Sequence, residues 1–150
     1  MKRSVNLGLI GLGTVGTGVI QLLQRNSSII RQKVGTEVFV RAICDKDPER
    51  LRAAQRMGIG KTILTKDFRQ LIDDPQVDIV VELIGGYEPA RSIVLACIER
   101  GKHVVTANKA LLARHWAEVF SQAQKHKVLV YFEASVGAGI PVIQALNEGL

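Results

Sequence analysis

Val5-Asn6-Leu7-Gly8-Leu9-Ile10-Gly11-Leu12-Gly13-Thr14-Val15-Gly16-Thr17-Gly18 is the stretch that decides the fold. Asn6 to Ile10 reads as a short buried strand, and Val15, Val19, Ile20, Leu22 and Leu23 then recur at helical spacing. Gly11, Gly13 and Gly16 therefore fall in a tight turn that joins a strand to a helix, the context in which a G-x-G-x-x-G string acquires meaning. Gly11 permits the turn, Gly13 lets the backbone approach a phosphate with no Cβ in the way, and Gly16 lets the helix pack closely on the strand. The N–H groups of Thr14 and Val15 then face the anion. This is the reading of a dinucleotide site. The alternative is a domain of the same shape that holds no dinucleotide, or holds one only as a redox sensor.

Outward from this turn, strand and helix signals alternate. The first helix is expected over residues 14 to about 33, and a second strand over 37–44, with Asp45 at its end. Asp47 is placed as the N-cap of a helix that Pro48 opens and that runs to Met57, where Gly58-Ile59-Gly60 stops it. A short helix is expected over 67–73. Residues 77–84 are almost continuously apolar, the pattern of a parallel strand covered on both faces, and Gly85-Gly86 ends them. A helix over 90–100, a fourth strand over 103–106, a helix over 108–125 and a fifth strand over 128–132 follow. Repeated β-α alternation with right-handed crossovers predicts an α/β fold: a Rossmann-type doubly wound, mainly parallel sheet with helices on both faces. Its ligand crevice lies outside the carboxyl ends of the strands.

Length and composition fit one domain over residues 1–150, with 47% hydrophobic and 23% charged residues. No apolar stretch is long enough to span a bilayer, and no charged-then-apolar leader precedes the first strand, so the expected location is cytoplasmic, away from membranes. Cys44 and Cys97 fall in core elements without ligand-spaced partners, which predicts reduced, buried thiols. The formal charge of +6 raises the question of nucleic acid, but lysines and arginines are scattered along the chain rather than gathered in an arm. A solvated surface that tolerates a polyanionic cofactor is the better reading. The last helix, opened by Pro141, is only two to three turns long at Leu150; the expectation is a truncated chain, with a substrate-binding part beyond that residue.

Three positions at strand ends carry candidate chemistry. Asp45 stands where an acid commonly hydrogen-bonds the adenosine ribose of NAD, although it lies 29 positions beyond Gly16 rather than the usual interval of about 20. The acid would repel a ribose 2′-phosphate, whereas Arg41, Lys46 and Arg50 could offset that in NADP; the balance leans slightly to NAD. The alternative is that Asp45 does no more than end the strand and begin a turn. Lys109 follows the fourth strand at the crevice edge, where a partly desolvated ammonium can move protons at a substrate oxygen. The bland alternative is a solvated lysine at a helix start. Glu133 leads into a small-residue loop whose carbonyls could converge on a hard cation, the alternative being a glycine-rich turn that makes room for a helix.

Together these stretches resemble homoserine dehydrogenase. The resemblance runs from about residue 5 to 150, through Gly11-Leu12-Gly13-Thr14-Val15-Gly16-Thr17-Gly18, Val81-Glu82-Leu83-Ile84-Gly85-Gly86, Val105-Thr106-Ala107-Asn108-Lys109 and Glu133-Ala134-Ser135-Val136-Gly137-Ala138-Gly139-Ile140-Pro141, of which the last two are the specific ones. It implies reduction of aspartate 4-semialdehyde to homoserine with NADH or NADPH, on the branch toward threonine, methionine and isoleucine. It further implies that Thr14 and Val15 contact the pyrophosphate, that Ile84 and Gly85 line the nicotinamide side, and that Lys109 touches cofactor and substrate and takes part in proton transfer. Glu133 with the carbonyls of Val136, Ala138 and Ile140 would hold a sodium-like ion. The second catalytic lysine, the acidic substrate ligands and the homodimer contacts would come from a later region, so residues 1–150 alone should bind nucleotide and catalyse little. Another dehydrogenase of a small aldehyde or keto acid, and a non-enzymatic nucleotide-sensing module, are the rival readings.

Overall fold

The computed structural model describes residues 4–149. In chain order the elements are β1 (Ser4–Ile10), α1 (Thr14–Arg25), α2 (Ser27–Val34), β2 (Glu37–Cys44), α3 (Pro48–Arg56), β3 (Ile63–Thr65), α4 (Phe68–Ile72), β4 (Ile79–Glu82), α5 (Ala90–Glu99), β5 (His103–Thr106), α6 (Lys109–His126), β6 (Val130–Tyr131), α7 (Glu133–Val136) and α8 (Val142–Gly149). The six strands form one parallel sheet in the order β3-β2-β1-β4-β5-β6. That is the strand order of a doubly wound dinucleotide-binding sheet, and the order reverses between β1 and β4.

The sheet buries an apolar layer on each face. Leu9, Ile43 and Val81 point to one side, against Ile20 of α1 and Leu51 and Ala54 of α3. Ala42, Val80 and Val104 point to the other, against Leu71 and Ile72 of α4, Val94, Cys97 and Ile98 of α5, and Leu111 and Val119 of α6. Alternate residues of a strand project to opposite faces, so a sheet clothed on both sides needs apolar residues at successive positions, as in β4. Both cysteines are free thiols inside this core. Among the described residues no helix is long and apolar enough to cross a membrane.

Several elements differ from the sequence reading, among them the strand expected over 77–84, which shortens to β4 because the Ile84 N–H turns onto the Glu82 carboxylate. The helix expected over 14–33 is two helices: Asn26 leaves helical geometry (φ −113°, ψ 19°) and its side-chain amide donates to the Leu22 carbonyl at 3.0 Å, a local bond that competes with helix continuation. An extra edge strand, β3, pairs with the end of β2; at three residues it is too short to show any periodicity. The fifth expected strand shrinks to two residues because Phe132 (ψ 17°) already turns into α7. The expected loop after Glu133 is therefore a helical turn. Asp47 does cap α3, its carboxylate accepting from the Glu49 N–H at 2.8 Å.

Candidate functional site

The glycine turn sits where β1 ends. Gly11 adopts φ +104°, and a Cβ on it would stand 2.9 Å from the Leu83 backbone; one on Gly16 would stand 2.1 Å from the Gly11 carbonyl oxygen. Glycine is thus required at both positions, for a left-handed backbone and for the close approach of α1. Gly13 differs. A Cβ there would meet no protein atom within 4 Å, so the space beside it is open. Gly13 is also the N-cap of α1, with no side-chain cap and no acidic residue in the first turn, which leaves the N–H groups of that turn and the positive end of the helix dipole facing outward.

This turn forms the floor of a cleft of about 550 Å³ outside the carboxyl ends of β1, β2 and β4. Gly11, Gly13, Asp45, Lys46, Arg50, Lys66, Ile84 and Gly85 line it. A concavity of similar volume beside Ser27, Arg31 and Glu37 lies at the opposite end of β2, away from the helix N-terminus.

Asp45 is buried at the rim, and both its oxygens are engaged. Oδ2 accepts from the Leu12 N–H at 2.6 Å and Oδ1 from the Asp47 N–H at 2.8 Å, while Arg50 stands 3.7 Å from Oδ2. The carboxylate thereby clamps the glycine turn to the end of β2. Lys46 and Arg50 flank the same cleft, and Lys66, which the sequence reading did not single out, joins them from the turn after β3. Arg41 does not: it pairs with Asp74 at 2.9 Å. Burial raises the Asp74 carboxyl while its bonds with the Gln76 N–H and Arg41 lower it, and the net displacement is downward. The Cys44 thiol, also on the cleft wall, is pushed up to about 11 by burial, with Asp45 and Asp67 adding to it.

On the other side of the reversal point, buried side chains tie the loops together. Glu82 is 0% exposed and accepts from the Ile84 and Gly85 N–H groups and from the Thr106 hydroxyl. Asn108 caps α6 by accepting from the Leu111 N–H at 3.1 Å and donates to the Gly86 carbonyl at 2.7 Å. Lys109, the first residue of α6, is exposed rather than desolvated. Glu133 accepts from the Ile143 and Gln144 N–H groups at 2.8 and 3.2 Å and so caps α8, while Val136 and Ile140 are exposed and Ala138 takes φ +51°. Sequence spacing offered no sign of that cap, because the donors lie ten and eleven residues on.

Residues 11–133 match the family model described as homoserine dehydrogenase, NAD binding domain. The chain belongs to the homoserine dehydrogenase family. The homoserine dehydrogenase of Pseudomonas aeruginosa is 45% identical over 148 residues, which cover 99% of this chain and 33% of that protein; that of Bacillus subtilis is 39% identical over 148 residues, 99% and 34%. A solved homoserine dehydrogenase from Thiobacillus denitrificans superposes with a TM-score of 0.90 at 46% identity, covering 99% of this chain and 33% of that one. A hyperthermophilic archaeal homoserine dehydrogenase in complex with NADPH superposes with a TM-score of 0.75 at 25% identity, covering 95% and 48%. The chain thus spans about a third of the length of the homoserine dehydrogenases it matches most fully. The Rossmann-type sheet and the NAD-binding assignment follow from this match, and the reading as some other small-aldehyde dehydrogenase gives way to it.

Proposed function

We propose that this chain is the part that binds the nicotinamide dinucleotide in an enzyme that interconverts L-homoserine and L-aspartate 4-semialdehyde. The observation that carries the reading is the uncapped first turn of α1 beside the empty volume at Gly13. The N–H groups of Thr14 and Val15 bind the pyrophosphate there, and Gly11 and Gly16 hold the turn that aims them. The adenosine half then lies toward β2 and the nicotinamide half toward β4 and β5, beside Ile84 and Gly85. When bound, the nicotinamide gives or takes the hydride. Lys109, exposed at the start of α6 just beyond β5, supplies the proton as the aldehyde oxygen becomes a hydroxyl, and accepts one in reverse. Its exposure fits a group covered only when substrate and the remainder of the enzyme close over it.

At the adenosine end, the Asp45 carboxylate is committed to Leu12 and Asp47, while Lys46, Arg50 and Lys66 surround the cleft. Three cations against two carboxylates, Asp45 and a Glu88 held by Arg91 and Ser92, suit a ribose 2′-phosphate, which favours NADP over the NAD to which the sequence leaned. Glu133 is likewise committed, as the cap of α8, and the sodium-like ion expected from Glu133, Val136, Ala138 and Ile140 enters no step here. In the complete enzyme the remaining two thirds provide the acidic substrate ligands and the homodimer contacts; the setting is cytoplasmic, without nucleic-acid or membrane partners. Titration of the chain with NADPH and NADH by calorimetry tests the reading. NADPH should bind more tightly, and Arg50→Ala should remove about 10-fold or more of its affinity while changing NADH little. Binding of neither nucleotide would refute the site, and binding without turnover in the full-length protein would leave a sensing module.

A further inference from the structure

We infer that Glu82 is the positioning residue of the nicotinamide end of the crevice, an inference that rests on the dinucleotide reading above. Glu82 closes β4 beside the point where strand order reverses, and it is fully buried. It forms no ion pair among the described residues. Burying a carboxylate without a cation is unfavourable unless hydrogen bonds replace its hydration, and an apolar side chain would serve stability as well. What Glu82 does with its oxygens is specific. Oε1 accepts from the N–H groups of Ile84 at 2.9 Å and Gly85 at 3.3 Å, and Oε2 accepts from the Thr106 hydroxyl at 2.6 Å.

These bonds continue into a closed circuit. The Thr106 hydroxyl accepts from the Asn108 N–H at 3.0 Å, and the Asn108 side chain donates to the Gly86 carbonyl at 2.7 Å. Ser135 adds the third loop by donating its hydroxyl to the Thr106 carbonyl at 2.7 Å. Glu82 thus joins the loops beyond β4 and β5, and Ser135 ties the segment after β6 to the same strand end. Gly85 and Gly86 lie at φ +71° and +75°, so without those bonds the segment is free to take other conformations.

The orientation of two peptide groups follows. In a trans peptide the carbonyl points opposite to the N–H of the next residue, so drawing the Ile84 and Gly85 N–H groups down onto Glu82 turns the Leu83 and Ile84 carbonyls away from it. The Leu83 carbonyl is taken up against Gly11. Ile84 lines the cleft and is 38% exposed, so its carbonyl, turned from Glu82, is the acceptor that this inference assigns to the ligand. A nicotinamide carboxamide presents an NH₂ donor to such an acceptor. The same circuit fixes Asn108, and with it the start of α6 from which Lys109 projects.

The test compares NADPH with 2′-phospho-ADP-ribose, which keeps the adenosine and pyrophosphate and lacks the nicotinamide. Calorimetry on the wild-type chain, Glu82→Ala, Glu82→Gln and Thr106→Val is expected to show NADPH weakened roughly 5–10-fold in Glu82→Ala and Thr106→Val, with 2′-phospho-ADP-ribose unchanged within about twofold. Glu82→Gln, which keeps an acceptor for the two N–H groups, should recover most of the loss. Parallel weakening of both ligands, or NADPH binding unaltered in Glu82→Ala, overturns the inference. If Glu82→Ala does not fold, Thr106→Val decides: a loss confined to NADPH supports the role, and none refutes it. A wild-type chain that binds neither of these ligands nor NADH overturns the dinucleotide reading and this inference with it.

Discussion

Alanine at Gly13 and alanine at Gly16 should separate a glycine needed by the ligand from one needed by the fold. A Cβ at Gly13 meets no protein atom within 4 Å, and the residue sits at φ −69°, which alanine adopts freely. Reduced freedom of the unfolded chain should stabilise Gly13→Ala by about 0.4–1 kcal/mol, and the poorer N-cap should cost a similar amount. The melting temperature is therefore expected to stay within about 4 °C of wild type. Nucleotide affinity should not. The new methyl fills the space that the pyrophosphate needs, and losing two charge-assisted N–H bonds at about 1.5–3 kcal/mol each weakens binding more than about 100-fold.

At Gly16 the methyl would lie 2.1 Å from the Gly11 carbonyl oxygen, less than any non-bonded contact allows, so α1 must move off the turn. Helix propensity favours alanine by about 0.5–1 kcal/mol, but overpacking against backbone costs about 1–3 kcal/mol or more. Gly16→Ala should therefore lose both stability, by several degrees, and binding. Differential scanning fluorimetry with NADPH calorimetry measures both. A Gly13→Ala chain that binds NADPH like wild type would show that the pyrophosphate does not lie on this turn.

Two further outcomes follow from the buried groups. Asp45→Ala leaves the Leu12 and Asp47 N–H groups without their acceptor, so it should cost roughly 2–4 kcal/mol in denaturant unfolding and weaken NADPH and NADH alike; a loss confined to NADH with stability intact would instead assign Asp45 to the ribose. Burial lifts the Cys44 thiol to about 11 and the Cys97 thiol to about 12, so neither should react with iodoacetamide at pH 8 unless the chain is unfolded. Both folded values lie above the ordinary thiol value. Their contribution to stability is therefore full below about pH 9 and is lost as pH rises through 11 to 12, which an alkaline denaturation series against a Cys44→Ala, Cys97→Ala double variant would reveal.

Features set by short-range interactions are legible in the chain, and those set by long-range ones are not. Gly11, Gly13 and Gly16 were legible because strand, turn and helix lie within fourteen consecutive residues. Lys46 and Arg50 were placed beside the crevice by adjacency to a strand end, and the structure keeps them there. Arg41 was misplaced for the same reason: it is close in sequence, but its pairing with Asp74, thirty-three residues away, takes it out of the site. Lys66 was invisible because the strand that delivers it is three residues long and pairs only at the sheet edge. Glu82 shows no role in the sequence, since its partner Thr106 lies twenty-four residues on, in the neighbouring strand.

Periodicity and backbone freedom within one or two elements are enough to fix the class of fold, the place of the glycine turn and the end of the sheet where the crevice opens, and these were readable in the chain. What the carboxylates do emerges only from packing. Asp45 clamps the turn, Glu133 caps α8 and Glu82 joins the loops beyond β4 and β5, each through donors set by how elements pack. A carboxylate accepts from whichever N–H or O–H comes within about 3 Å, and which one does is fixed when the sheet assembles.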